Sequence, residues 1–341
     1  MGYKPPYEIN DKIVGLISAI SGKIGQVSER NGSETRPHLR RSSKIRSVHS
    51  SLRIEANSLS LGEVSDIIDG RPVAGPEKEI QEVKNAYKAY ERIGLIDPFS
   101  IEDLKQIHGI ITEYITEDSG QFRRREEGVF DGGRCIFAAP PAKRVPQLMD
   151  DLFAWMKSVR ESVHPLILGA VFHYEFVFIH PFSDGNGRTA RLWHTAILAE
   201  WKPIFEYIPL ESRIEKFQAE YYRAIADCHT AGNSTGFIEF MLSQINAALD
   251  EILCQTQSTA EEISEYEKRL LNVMEPGVPY TAKALLDLLG LKSKETLRKN
   301  YLTPAIRRGL AAMTLPEKPK SKNQRYVKKF NSLVSTYRFL R

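Results

Sequence analysis

The chain has 341 residues, 42% hydrophobic and 26% charged, with a formal net charge of +4; this is the make-up of a globular protein and excludes a fibre or a disordered chain. Three cysteines, Cys135, Cys228 and Cys254, form no CxxC pair and are too few for a disulfide framework. No apolar run approaches the roughly 20 residues that span a bilayer, and Met1 to Tyr7 lack the apolar core of a signal peptide. The expectation is a cytoplasmic protein with no membrane contact. Charge is unevenly spread: residues 292–341 carry 14 Lys and Arg against Glu295 and Glu317, whereas the rest carries 33 against 41. A basic module thus follows a mildly acidic body.

Ile9, Ile13, Val14, Ile17, Ile20 and Ile24 recur at three- and four-residue steps and predict an amphipathic helix. After a polar break at Ser28 to Pro37, a second helix is expected from about Leu39 to Asn57. Ile45, Val48 and Leu52 share one face of it, and the same step brings Glu55 onto that face with its carboxylate inward. An inward carboxylate needs a cation, because leaving it unpaired costs several kcal/mol. Ile80 to Ile93 and Ile101 to Tyr114 read as helices, the second capped by Ser100 with Glu102 and Asp103 in its first turn. Two short β-prone runs around Asp131-Gly132-Gly133 predict a hairpin that Pro140-Pro141 ends. Val145 to Val159 and Pro165 to Phe178 return to helix; the latter is apolar nearly all round and so central to the core, and its His173 reads as a buried, hydrogen-bonded histidine. Further helices are expected from Arg188, over Ser212 to His229, and from Phe237 to about Glu265. From Tyr266 the pattern shortens to Thr281 to Leu289 and Ser293 to Arg308, then a Lys- and Pro-rich segment, the order of a winged helix-turn-helix.

Behind the core helix lies His180-Pro181-Phe182-Ser183-Asp184-Gly185-Asn186-Gly187-Arg188-Thr189-Ala190-Arg191. Gly185-Asn186-Gly187 supplies a tight turn whose N–H groups converge on an anion, and the helix that opens next adds its positive end. Arg188 and Arg191, three apart, share one face near the first turn, where two forks grip separate phosphate oxygens. His180, with an unperturbed pKa of ~6.5, is mostly neutral near pH 7 and can take a proton from an attacking hydroxyl. Asp184 offers the single carboxylate that, with phosphate oxygens, usually holds Mg2+; an Asp capping the turn is the bland alternative. Phe182 reads as a core anchor that aims the loop.

These residues fill all nine specified positions of HPFx(D/E)GN(G/K)RxxR, and the chain resembles the Fic (filamentation induced by cAMP) family. The resemblance implies an all-α fold class, a Fic-type helical core with a small β-hairpin flap at 128–139, plus a C-terminal winged helix-turn-helix domain. The isoleucine stripe makes 1–38 an N-terminal helical region, and the resemblance implies a Fic domain at 39–255 with an inhibitory helix at 39–57 and the winged helix at 262–341. It implies a protein adenylyltransferase that uses ATP and Mg2+ to move AMP onto a Ser, Thr or Tyr hydroxyl of a target protein. By that resemblance His180 is the base, Asp184 the Mg2+ ligand, and Asn186 with the Gly185 and Gly187 amides the anion cradle. Arg188 and Arg191 hold the leaving β/γ portion, and Tyr221-Tyr222 stands where relatives place aromatics beside adenine, with Tyr222 the candidate; a core tyrosine pair is the other reading. The flap residues Val129, Phe130, Ile136 and Phe137 pair with the target segment, a main-chain mode with little sequence preference. The related Doc toxins, which phosphorylate their targets, lack the second arginine, so Arg191 favours nucleotidyl transfer.

Ser51-Leu52-Arg53-Ile54-Glu55-Ala56-Asn57 resembles the family's inhibitory motif (S/T)xxxE(G/N), from which Ala56 departs. It implies that Glu55 pairs with Arg191 and keeps the γ-phosphate from its productive seat; in some relatives the same Glu supports removal of AMP. The basic tail implies contact with DNA or with protein, led by Arg298, Arg307, Lys318, Lys320 and Lys322. The alternative function is a DNA-binding transcriptional regulator whose Fic-like domain only senses a nucleotide.

Overall fold

A computed structural model of the chain describes residues 3–31, 37–131, 134–259, 264–275, 278–319, 321–322 and 324–328. They fall into two units, Met1–Leu253 and Cys254–Arg341. The first runs α1 (Asp11–Asn31), α2 (Pro37–Ile54), α3 (Leu61–Ile68), α4 (Glu77–Tyr90) and α5 (Ile101–Ile111), then a hairpin of β1 (Gly128–Asp131) and β2 (Arg134–Ala138). It continues with α6 (Val145–Val159), α7 (Pro165–Ile179), α8 (Asn186–Trp201), α9 (Leu210–Lys216), α10 (Gln218–Ala231) and the part of α11 (Thr235–Thr259) up to Leu253.

The core is built on α7 and α8, which pack against each other. Every residue of α7 from Leu166 to Phe176 is buried, as its all-round apolar pattern predicts. His173 lies fully buried within it, its ring nitrogens on Tyr221 Oη at 2.9 Å and His194 Nδ1 at 3.2 Å. Ahead of α1, the Tyr3 hydroxyl donates to buried Glu175 at 2.5 Å, which ties the N-terminal segment to α7. Ile13, Ile20 and Ile24 of α1 point inward, but Ile9 precedes the helix and Val14 faces solvent, so the apolar stripe is narrower than the spacing suggests.

Three boundaries differ from expectation. The helix expected at 39–57 begins at Pro37, a favoured first-turn residue, and ends at Ile54. Ala56 beyond it adopts the left-handed conformation at φ 65°. The Ala56 N–H then reaches the Arg53 carbonyl and the Asn57 N–H the Leu52 carbonyl, which satisfies the last carbonyls of α2 and stops it. The single helix expected over 212–229 is two, broken at Phe217 (φ −116°, ψ 39°), where neither Gly nor Pro marks the change. Eight-residue α3, closed by a Ser60–Glu63 capping box, is too short for its periodicity to register. Ser100 caps α5 as predicted, accepting from the Asp103 N–H at 3.1 Å.

In the hairpin Val129 pairs with Phe137 and Phe130 with Cys135, a register shift that leaves Ile136 between them. Gly132, Gly133 and the side chains of the expected flap contacts Val129, Phe130, Ile136 and Phe137 lie outside the described residues.

The second unit has its own apolar centre of Leu270, Leu271, Leu285, Leu297, Tyr301, Leu302 and Leu310. Its elements are α12 (Glu265–Val273), β3 (Pro279–Tyr280), α13 (Ala282–Leu289), α14 (Lys294–Thr296), a π-helical stretch Leu297–Leu302, α15 (Thr303–Arg307), β4 (Ala311–Met313) and β5 (Tyr326–Lys328). The strands form an antiparallel sheet of order β3-β5-β4. The helix expected over 293–308 is therefore interrupted by a π stretch, and the Lys- and Pro-rich segment joins β4 to β5. Lys320 lies outside the described residues. Among the described residues no helix is long and apolar enough to cross a membrane.

Candidate active site

The loop between α7 and α8 is held in shape from several sides. His180 ends α7 in the left-handed conformation at φ 51°, a strained setting for a residue with a Cβ. Arg123 holds it there: the buried guanidinium donates to the carbonyls of His180 (2.6 Å), Ile179 (3.3 Å), Arg125 (2.9 Å) and Pro140 (2.5 Å). A neutral His180 imidazole keeps a lone pair on one ring nitrogen. Burial, then the nearby Arg123 charge, lowers the His180 pKa below the ordinary imidazole value, which keeps that lone pair available at neutral pH.

Beneath the loop sits His108 of α5, its ring stacked on Phe182 at 3.6 Å. His108 Nδ1 accepts from the Gly120 N–H at 2.9 Å, which makes Nε2 the protonated nitrogen that donates to the Asp184 carbonyl, also at 2.9 Å. Gly185 follows at φ 78°; a Cβ there would press on Thr112 and His108. Asn186 spends its amide on Phe182, donating Nδ2 to the carbonyl (2.7 Å) and accepting the N–H at Oδ1 (3.0 Å). Its side chain therefore shapes the turn, and the anion donors of the cradle are the backbone N–H groups at the start of α8.

Asp184 is 39% exposed, with Oδ1 taking the Gly185 N–H (2.5 Å) and Arg188 Nη2 (2.9 Å). Burial raises its carboxyl pKa, but Arg188, the Gly185 N–H and Lys78 together hold it below the usual range. Oδ2 has no hydrogen bond among the described residues. Those residues hold no cluster of three His, Cys, Asp or Glu fit for a metal. A single, ionised, partly exposed carboxylate suits Mg2+, which keeps its waters and shares phosphate oxygens rather than entering a protein cage.

Both signature arginines are buried and engaged. Arg188 donates Nη1 to Glu82 of α4 at 3.3 Å as well as Nη2 to Asp184, and its Nε is a buried donor without a partner among the described residues. Arg191 is gripped by the end of α2: Nε donates to Ser51 Oγ (3.1 Å), and Nη2 to the Ser51 carbonyl (3.0 Å) and Glu55 Oε1 (2.8 Å). The Arg191 side chain is 1% exposed against 36% for Glu55. The Glu55 carboxylate lies directly over Gly187, so it covers the turn at which an anion would arrive. Tyr222, half-exposed, packs edge-on to Tyr221 and stands within electrostatic reach of Glu55 and Arg191.

Sequence reasoning missed His108, Arg123 and Glu82. His108 carried a signal, falling with Leu104, Ile107 and Ile111 on the buried face of α5. Arg123, in the run Arg123-Arg124-Arg125, reads as solvated charge.

The Fic/DOC family profile matches residues 98–198, and that of the Filamentation induced by cAMP protein Fic-like, C-terminal domain matches residues 266–327. The chain is 28% identical over 284 residues to Protein adenylyltransferase Fic of Drosophila melanogaster, covering 77% of this chain and 54% of that protein. It is 28% identical over 246 residues to the Aedes aegypti protein of the same name, covering 68% and 46%. It thus spans about half the length of these curated relatives. Fic-1 of C. elegans superposes with a TM-score of 0.59 at 21% identity, covering 73% of this chain and 74% of that one, a likeness of fold alone. A Fic family protein from Desulfovibrio desulfuricans G20 superposes with a TM-score of 0.72 at 38% identity, over 96% of this chain and 99% of that one. With the signature loop, both profiles and a near full-length relative in agreement, the chain belongs to the Fic family.

Proposed function

We propose that the protein is an autoinhibited protein adenylyltransferase, moving AMP from ATP to a hydroxyl side chain of a target protein. The observation that carries the reading is the juxtaposition of a lone-pair imidazole at His180 with an anion cradle whose inner arginine is occupied by Glu55. ATP would lay its phosphates on the N–H groups at the start of α8, with Arg188 and a released Arg191 on the β- and γ-phosphates and Tyr222 beside the base. Asp184 is the group that would hold Mg2+, which when bound neutralises phosphate charge. His180 takes the proton of the target hydroxyl as its oxygen attacks the α-phosphorus. The bond from that phosphorus to the bridging oxygen breaks, pyrophosphate leaves, and AMP remains on the target as a phosphodiester. Positioning and fixed charge do most of the work.

Glu55 opposes this by neutralising Arg191 and covering Gly187. Removal of AMP by hydrolysis is read as a second activity of this site, with the Glu55 carboxylate orienting the water that attacks the α-phosphorus. The hairpin β1–β2 is read as the flap that pairs with the target segment. The C-terminal unit is read as a winged helix, with Arg298, Arg307, Lys318 and Lys322 as its phosphate or protein contacts. The regulator reading leaves His180 without work and is not favoured.

The test is incubation of purified Glu55→Gly with labelled ATP and Mg2+, beside wild type and Glu55→Gly/His180→Ala. Covalent AMP is expected to rise at least 10-fold over wild type, in line with the 10²–10⁴-fold worth of a positioned base once the brake is gone, and to vanish with His180. Equal labelling of all three proteins sinks the reading.

A further inference from the structure

Resting on the adenylyl-transfer reading, we propose that Glu82 is a positioning residue that sets the Arg188 fork for the triphosphate and ties it to the end of the inhibitory helix. Glu82 lies on α4, its side chain only 13% exposed, and uses both oxygens. Oε1 accepts from Arg188 Nη1 at 3.3 Å, and Oε2 accepts from Asn57 Nδ2 at 2.9 Å. Asn57 is itself buried and fully spent. Its Nδ2 also reaches the Glu79 carbonyl at 3.3 Å, and its Oδ1 takes the Leu59 N–H at 3.2 Å.

The chain of contacts therefore runs from the turn after α2, through one carboxylate, to a guanidinium whose Nη2 holds Asp184. Arg188 is clamped through one N–H of each terminal nitrogen, which leaves the second N–H of each for phosphate oxygens, while its Nε is a buried donor without a partner among the described residues. A guanidinium fixed from behind needs no reorganisation when phosphate arrives. Asn57 and Glu55 stand two residues apart on the same turn, so a movement of that turn away from Arg191 also displaces the hydrogen bond to Glu82. The brake thus reaches both arginines, one directly and one through Glu82.

The experiment uses the full chain in the Glu55→Gly background, with steady-state labelling at varied ATP for Glu82→Ala, Glu82→Gln, Asn57→Ala and the Asn57→Ala/Glu82→Ala pair. Losing a charged hydrogen bond behind Arg188 is expected to raise KM for ATP ~10-fold with kcat within about 2-fold. Gln, which keeps the shape without the charge, restores part of the loss and carries the test should Ala not fold. Asn57→Ala raises KM less, and the pair is no worse than Glu82→Ala alone. An unchanged KM in Glu82→Ala, or effects of the two single substitutions that multiply, overturns the proposal. If the Glu55→Gly parent does not label at all, the transfer reading fails by itself. The linkage is then judged by melting: losses in Tm that do not add in the pair support it, and losses that add overturn it.

Discussion

On the proposed function, Gly187 is where the Glu55 brake rests on the anion cradle. A methyl there would overlap the Glu55 carboxylate and come within 3.0 Å of Arg191 Nη1, while the glycine is helical and would gain helix propensity from Ala. The atoms in the way belong to the free end of a long side chain, so Glu55 is what gives. Gly187→Ala is therefore expected to raise covalent labelling by labelled ATP on the order of 10-fold over wild type, since crowding of this kind costs ~1–3 kcal/mol in the displaced contact. Labelling indistinguishable from wild type would mean that the carboxylate accommodates the methyl without leaving Arg191. Residues such as His180, Asp184, Gly185 and Arg191 were legible because their chemistry is packed into twelve consecutive positions. Glu82, Arg123 and His108 were not, because each acts on a partner 57 to 106 positions away and sequence spacing carries no trace of such a contact. The role of Asn186 shifted for the same kind of reason: only the backbone path of the loop reveals that its amide is consumed by Phe182.

At the scale of the element, α2, the proposed inhibitory helix, is seated by polar as much as apolar contacts. Ile45, Val48 and Leu52 are buried, as the three- and four-residue step predicts. Beside them Ser47 donates to buried Glu211 at 2.7 Å, the Ser50 and Ser212 hydroxyls meet at 3.0 Å, and Gln218 donates to the Ile54 carbonyl at 3.0 Å. Nothing in a run of serines announces a carboxylate 164 positions on. The weak point is Ala56, held at φ 65°, where an L side chain costs roughly 1–2 kcal/mol and glycine pays nothing. The family's preference for Gly or Asn here is a preference for a residue that closes the Schellman turn without strain. Ala56→Gly is expected to raise the melting temperature of the chain by a few degrees, about what 1 kcal/mol yields in a domain of this size. It should also lower, or leave at baseline, the labelling of the otherwise wild-type protein. A rise in labelling would show that the strained turn restrains the enzyme rather than loosening its brake.

The molecule as a whole consists of two units, and the step in charge along the chain marks them only loosely, because unit two begins at Cys254 whereas the basic stretch begins near Lys292. What composition could not disclose is how many imidazoles the first unit buries without charge. Burial lowers the His108 pKa to about 4 and that of His194 to about 3, and drives His173 well below its ordinary value, with its neighbours His194 and Arg191 adding to the shift. All three are protonated in the unfolded chain below about pH 6.5 and refuse that proton when folded, so the unfolded state binds more protons there. Their contribution is intact above pH 6.5 and is lost as pH falls toward 4, at about 1.4 kcal/mol per pH unit for each group. Buried Glu175, whose pKa burial raises despite the Tyr3 hydrogen bond, acts in the opposite sense and offsets one such group at most. Trp155, Trp193 and Trp201 all lie in the first unit, so tryptophan fluorescence follows its unfolding separately from that of the second. Melting temperature by that signal should be level from pH 8 to 7 and fall by about 10 °C between pH 6.5 and 5, given 2–4 °C per kcal/mol for a unit of this size. His173→Asn together with His194→Gln should flatten the slope even if it lowers the plateau, since of these three rings only the stacked His108 would remain to carry it. A melting temperature that stays level down to pH 5 would mean that the buried rings accept protons in the fold, and the apolar setting assigned to them would be wrong.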